Sequence, residues 1–136
     1  MLAQKIKVLI ADDHIIFRRG LKMLLASIDG IELVGEAENG LDLLAVAGRY
    51  TPDVFLIDIS MPVMDGVMAT KELCKRHPGA KVIALSVFGQ ETHIMEMLDA
   101  GALGYLMKNA DKDDIEQAIV AVFNNRSYFC TESNKQ

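Results

Sequence analysis

Short apolar runs alternate with longer stretches of helical period along the chain. Residues 5–11 (KIKVLIA) have strand character. Residues 13–28 repeat apolar positions at helical spacing, with Ile16, Phe17, Gly20, Leu21, Leu24, Leu25 and Ile28 on one face. Asp29-Gly30 marks a turn into a second strand, residues 31–37 (IELVGEA), whose mixed polarity suits a place near an edge. Asn39-Gly40 opens a helix that runs to about Arg49. The run 53–58 (DVFLID) is continuously apolar until its last residue, as for a central strand covered on both faces. After Met61-Pro62, a helix is predicted over 66–76 and is ended by His77-Pro78-Gly79. Strand 81–86 (KVIALS), helix 91–100 with Gly101 as C-cap, strand 103–107 and helix 111–123 complete the pattern. Core spacing in the last helix falls on Ile115, Ala118, Ile119 and Val122.

Five β-α units predict an α/β fold. Specifically, they predict a doubly wound, five-stranded parallel sheet of the flavodoxin-like class with five helices. In such sheets, sites form beyond the carboxyl ends of the strands, where the strand order reverses. Residues 1–124 are expected to make one domain. Residues 125–136 are polar and aperiodic after Tyr128 and Phe129, like a C-terminal tail or the start of a linker.

Composition narrows the function. At 136 residues and 51% hydrophobic, the chain can bury the core of one domain. Its formal net charge of -5 argues against a nucleic-acid-binding face on this segment. Cys74 and Cys130 fit no metal or redox spacing and suit a reducing compartment. The first residues do not resemble a signal peptide, and no apolar run is long enough to span a bilayer. A cytoplasmic protein without a membrane segment is expected.

The predicted strand ends carry the chemistry. Asp12 and Asp13 follow the first strand, Asp58 ends the third, Ser86 ends the fourth and Lys108 follows the fifth. Each has an ordinary reading. An acid before a helix is usually an N-cap, but only one of two adjacent acids can cap. An acid or serine at a strand end often starts a turn, and a lysine is usually solvated. Together, three carboxylates on one rim would repel, and one would have to take up a proton. A hard divalent cation relieves this, and the oxygen donors suit Mg2+, or Mn2+. Zinc is poorly served, because His14, His77 and His93 have no ligand spacing. A carboxylate beside a metal and an ammonium can attack phosphorus to form an acyl phosphate.

Four segments together resemble the receiver domain of bacterial response regulators. They are VLIADDH (8–14), DVFLIDISMPVMDG (53–66), VIALS (82–86) and AGALGYLMK (100–108). The resemblance extends over residues 5–123. The ADDH start, the GALGYLMKNA segment and NNRSYF near the end are most similar to the NarL/FixJ subfamily. It implies strand order 2-1-3-4-5 and a switch controlled by phosphorylation, not an enzyme acting on other molecules. Asp58 would be the phosphoacceptor, receiving its group from a histidine kinase. Asp12, Asp13, Asp58 and the Ser60 backbone carbonyl would hold Mg2+. Lys108 would pair with the phosphoryl group, Ser86 would be the switch hydroxyl and Tyr105 the switch aromatic. Asp65-Gly66 would shape the loop after the acceptor. The expected output is homodimerisation, or control of a C-terminal helix-turn-helix domain through which alone DNA would be bound. Three positions depart from the pattern. Asn109 stands where many receivers have proline, and Val87 stands where a small residue is usual. Phe88 follows at a position thought to affect attack by water. A shielded, long-lived phosphoryl group is the expectation.

Two enzyme or binding classes fit less well. Aspartate-nucleophile phosphatases place a general acid two residues after the nucleophile, where this chain has Ser60. A dinucleotide fold needs glycines after the first strand, where this chain has Asp-Asp-His.

Overall fold

In the computed structural model, which describes residues 4–87 and 90–129, every expected unit forms within two residues of its predicted ends. Phe88 and Cys130 lie outside the described residues. The order is β1 (Ile6–Ala11), α1 (Ile15–Ala26), β2 (Ile31–Ala37), α2 (Gly40–Tyr50), β3 (Val54–Asp58) and α3 (Gly66–Arg76). Then come β4 (Lys81–Ser86), α4 (Glu91–Ala100), β5 (Gly104–Met107), α5 (Lys112–Phe123) and β6 (Tyr128–Phe129).

All strand pairs are parallel, in the order β2-β1-β3-β4-β5-β6. The five-stranded expectation is therefore corrected to six, within the same fold class. β6 lies in the stretch expected to be linker. Two residues are too short for a period to register, but the open edge of β5 offers unpaired backbone groups to them.

The apolar pattern explains the layers. Every residue of β3 is buried, as its unbroken apolar run requires. Alternate strand residues face two separate cores. On one face Leu9, Phe55, Ile57, Val82 and Ala84 pack against Leu43 of α2, Leu73 of α3 and Met97 of α4. On the other, Val8, Ile10, Leu56, Ile83 and Leu106 pack against Leu21 and Leu25 of α1 and Ile115 and Ile119 of α5. Strand order reverses between β1 and β3, which opens a crevice beyond their carboxyl ends.

α1 begins two residues later than its period predicts. His14 occupies the N-cap position and makes no side-chain cap bond, so neither Asp12 nor Asp13 caps the helix. Leu21 and Leu25 centre its buried face, which leaves Ile16 77% exposed. No helix among the described residues is long and apolar enough to cross a membrane.

Candidate functional site

Backbone bonds at the strand ends set the pocket. The Asp12 N–H donates to the Ala37 carbonyl at 3.0 Å, just past the end of the β1–β2 ladder. One oxygen of its carboxylate, Oδ1, accepts from the His14 N–H at 2.8 Å. That local turn aims the side chain inward, and Asp12 is fully buried. Arg18 reinforces it, donating to the Asp12 carbonyl while its Nε pairs with Glu36 at 3.0 Å. β3 lies beside β1 in register Ala11↔Ile57, so Asp58 emerges next to Asp12. Lys108 comes from the far side, its N–H bonded to the Ser86 carbonyl at 2.8 Å.

The side chains meet closely. Lys108 Nζ lies 2.8 Å from Asp12 Oδ2 and 3.3 Å from Asp58 Oδ2. Those two oxygens are buried and accept no well-angled hydrogen bond. The ammonium meets them as an ion pair and also sits 4.8 Å from the centre of the Phe17 ring. Asp12, Asp13, His14 and Asp58 each offer an atom within 4.8 Å of all the others. This is an acidic pocket with the donors to bind a metal ion. Its oxygen-rich set and its buried carboxylate oxygens fit a hard cation.

Burial pushes the Asp58 carboxyl up to about 6 from an ordinary value near 3.8. The Asp12 charge adds to that rise, while Lys108 and the Ser60 N–H, 3.3 Å from Oδ1, hold it back. The consequence for folding has a definite sign. The folded state holds this proton better than the unfolded chain does. Asp58 therefore costs nothing below about pH 4, costs progressively more from pH 4 to 6, and costs a constant amount above. The cost above pH 6 is on the order of 3 kcal/mol. In metal-free buffer, urea unfolding should show Asp58→Asn equal to the parent near pH 4 and more stable above pH 6. A difference that does not change with pH would contradict this origin.

The β3–α3 loop is drawn tightly over Asp58. A side chain at Gly66 would place a Cβ 2.2 Å from the Asp58 carbonyl oxygen, so only glycine fits. The Gly66 N–H donates to the Ile59 carbonyl at 2.8 Å, and the Asp65 side chain accepts from the Met68 N–H at 2.9 Å. Asp65 is thus the N-cap of α3 and fixes the end of the loop that Asp65-Gly66 was expected to shape. Before it, the Met64 N–H donates to the Pro62 carbonyl at 2.7 Å, closing a three-residue turn on Val63. Val63 takes φ 71, a conformation that β-branched residues avoid, while its side chain is 75% exposed. Val63→Gly should therefore stabilise the fold by ~1 kcal/mol, read from the urea midpoint. A destabilised variant would show that the exposed side chain makes a needed contact.

The structure brings Asp12, Asp13, Asp58 and Lys108 together. Ser86 is fully buried, and its hydroxyl donates to Met107 Sδ at 3.3 Å rather than into the pocket. Tyr105 is half-buried, its ring 5.9 Å from that of Phe129 in β6. Among the described residues no peptide bond is cis, so the Lys108-Asn109 bond is trans.

His14 is the site residue that sequence spacing missed. Its Nδ1 lies 3.0 Å from Lys108 Nζ, 3.2 Å from Asp12 Oδ1 and 3.8 Å from Asp58 Oδ2. A bare Nδ1 accepts from Lys108, whereas a protonated one donates to Asp12. Its only signal was adjacency to the acidic pair. Arg18 was missed too, because a charged helix residue reads as a solvated one.

The family model of the response regulator receiver domain matches residues 8–120. The chain belongs to this family. Receiver domains of response regulators accept phosphate from histidine kinases. The transcriptional regulatory protein DegU of Brevibacillus brevis is 40% identical to this receiver over 124 residues, covering 91% of the chain and 52% of DegU. The response regulator GacA of Pseudomonas syringae pv. syringae is 39% identical over 131 residues, covering 96% of the chain and 61% of GacA. The receiver therefore spans between half and two thirds of the length of these curated relatives. A solved structure of the response regulator ChrA, from a heme-sensing two-component system, matches 98% of the chain and 64% of its own. That match has TM-score 0.83 and 34% identity. The kinship with NarL/FixJ-type regulators expected from the sequence is borne out by these relatives.

Proposed function

We propose that Asp58 accepts a phosphoryl group from a histidine kinase and that this group switches the domain between two arrangements. The observation that carries the reading is the ion-paired cluster itself, with Lys108 Nζ 3.3 Å from Asp58 Oδ2 in a buried pocket. The Asp58 oxygen attacks phosphorus, a P–O bond forms, and the bond to the donor's imidazole nitrogen breaks. Lys108 is already aimed at the place where negative charge then accumulates. Asp12, Asp13, Asp58 and the Ser60 backbone carbonyl would hold Mg2+, with Mn2+ an alternative. When bound, the ion supplies positive charge against the phosphoryl oxygens. Ser86 would leave Met107 Sδ and donate to the new group, with Tyr105 following as the switch aromatic. Only an interaction that differs between the two arrangements can shift their balance, and the Ser86 bond does so.

The reaction is the domain's own modification, with no turnover of another substrate. We place the protein in the cytoplasm. We take the chain after β6 to be a C-terminal tail or the start of a linker to a DNA-binding output domain, as suits kinship with transcriptional regulators. The phosphorylated form would homodimerise through the face made by α4, β5 and α5.

Intact-mass measurement tests the reading. With Mg2+ and a small acyl phosphate, the chain should gain one phosphoryl group, and no gain would overturn it. Val87, 46% exposed, directly follows Ser86 at the end of β4, and we propose that its bulk shields the acceptor from water. Val87→Ala should shorten the phosphoryl lifetime by about fivefold, or ~1 kcal/mol in barrier, followed by the decay of that mass. An unchanged or longer lifetime would remove Val87 from this role.

A further inference from the structure

We propose that β6 is a latch on Tyr105 that favours the resting arrangement and is released when Asp58 carries a phosphoryl group. The inference rests on the reading of Asp58 given above. β6 pairs with β5 in register Gly104↔Tyr128 and Tyr105↔Phe129. Paired residues of a parallel ladder point to the same face, so the Phe129 ring lies beside Tyr105, 5.9 Å away. Tyr128 packs against the opposite core, with Leu103 and Leu106. β6 thus grips both faces of the β5 edge with two rings.

The β5 edge is shaped for this grip. A Cβ at Gly104 would lie 2.2 Å from the Tyr128 carbonyl oxygen and 3.0 Å from its nitrogen. No other residue allows Tyr128 to sit there. The strand that carries the switch aromatic is therefore cut away at the neighbouring position to admit β6.

The same face leads back to the pocket. Ser86 pairs with Met107, and Ala84 with Tyr105, in the β4–β5 register. In the resting arrangement the Ser86 hydroxyl donates to Met107 Sδ. Drawing Ser86 toward a phosphoryl group releases Met107, and Tyr105 can then turn inward, away from Phe129. Loss of this ring contact weakens the hold of β6 on the Tyr105 face of β5, so β6 loosens. By reciprocity, a contact that must be broken on activation opposes binding of the activating group by the same factor.

Hydrogen exchange on the whole chain tests this, with beryllofluoride and Mg2+ as the phosphoryl mimic. The probe is the Tyr128 amide, which donates to the Leu103 carbonyl at 3.4 Å. Beryllofluoride should speed its exchange by about tenfold or more. Phe129→Ala, a change at a 42% exposed side chain, should speed it without the mimic. The same variant should bind the mimic about fivefold more tightly. Gly104→Ala should expose the amide outright; the milder Phe129 variant carries the test if that chain folds poorly. Binding of beryllofluoride with Tyr128 protection unchanged would overturn the latch, as would unchanged affinity in Phe129→Ala. Failure of the parent to bind beryllofluoride at all would overturn the Asp58 reading and the latch with it.

Discussion

Asp58→Asn should take up no phosphoryl group from a small acyl phosphate in Mg2+, while the parent gains the mass of one. The loss should be complete rather than partial, because an amide oxygen is too weak a nucleophile to form the acyl phosphate. The chain has neighbouring acids, and their geometry explains why they do not substitute. Asp12 is fully buried, with Oδ1 held by the His14 N–H and Oδ2 against Lys108. Asp13 stands at the rim, with its carboxylate 3.7 Å from the His14 ring. Asp58 alone of the three combines a position at the end of the central strand with the Ser60 N–H and Lys108 on its two oxygens. The variant should remain folded. Removing one of three clustered charges relieves repulsion, so loss of uptake cannot be blamed on unfolding. Uptake of a full phosphoryl mass by the variant would move the acceptor elsewhere.

Lys108→Met should destabilise the metal-free domain by about 3 kcal/mol near neutral pH, with Mg2+ restoring much of the loss. Removing one partner of a buried charge cluster strands the others, at a cost on the order of 3–5 kcal/mol. Two features soften it here. The lysine side chain is 11% exposed, and the Asp58 carboxyl can take up a proton instead. The ammonium holds that carboxyl down, so its removal pushes the carboxyl above about 6. Stability should then keep falling with pH beyond pH 6, where the parent has levelled off. Urea unfolding between pH 5 and 9, with and without Mg2+, reads both effects. A loss under ~1 kcal/mol would mean that solvent, not Lys108, balances the pocket.

Most of the fold was legible because the helices and strands are specified locally. The run VFLID is apolar at every position until its last residue, and β3 is buried at every residue. Ile115, Ala118, Ile119 and Val122 recur at helical spacing, and all four are buried in α5. Asp12, Asp13, Asp58 and Lys108 could be placed on one rim from sequence because each directly follows or ends a strand, and all strands of a parallel sheet finish on the same side.

What escaped depends on where separate parts of the chain meet. The period of α1 carried the predicted helix two residues too far back, because the bond from the His14 N–H to Asp12 holds those residues in a turn. His14 entered the pocket through that turn, and no ligand spacing announced it. The bond from Ser86 to Met107 spans two strands and follows from their register.

The sequence alone determined the alternation of strands and helices, the burial of β3 and the acids at the strand ends, since periods of two and 3.6 residues are properties of the local chain. Only the tertiary structure decided that β6 docks on β5, that Phe129 meets Tyr105 and that Lys108 bridges Asp12 and Asp58. Those contacts are set by strand register and by packing between residues far apart in sequence, which no local period encodes.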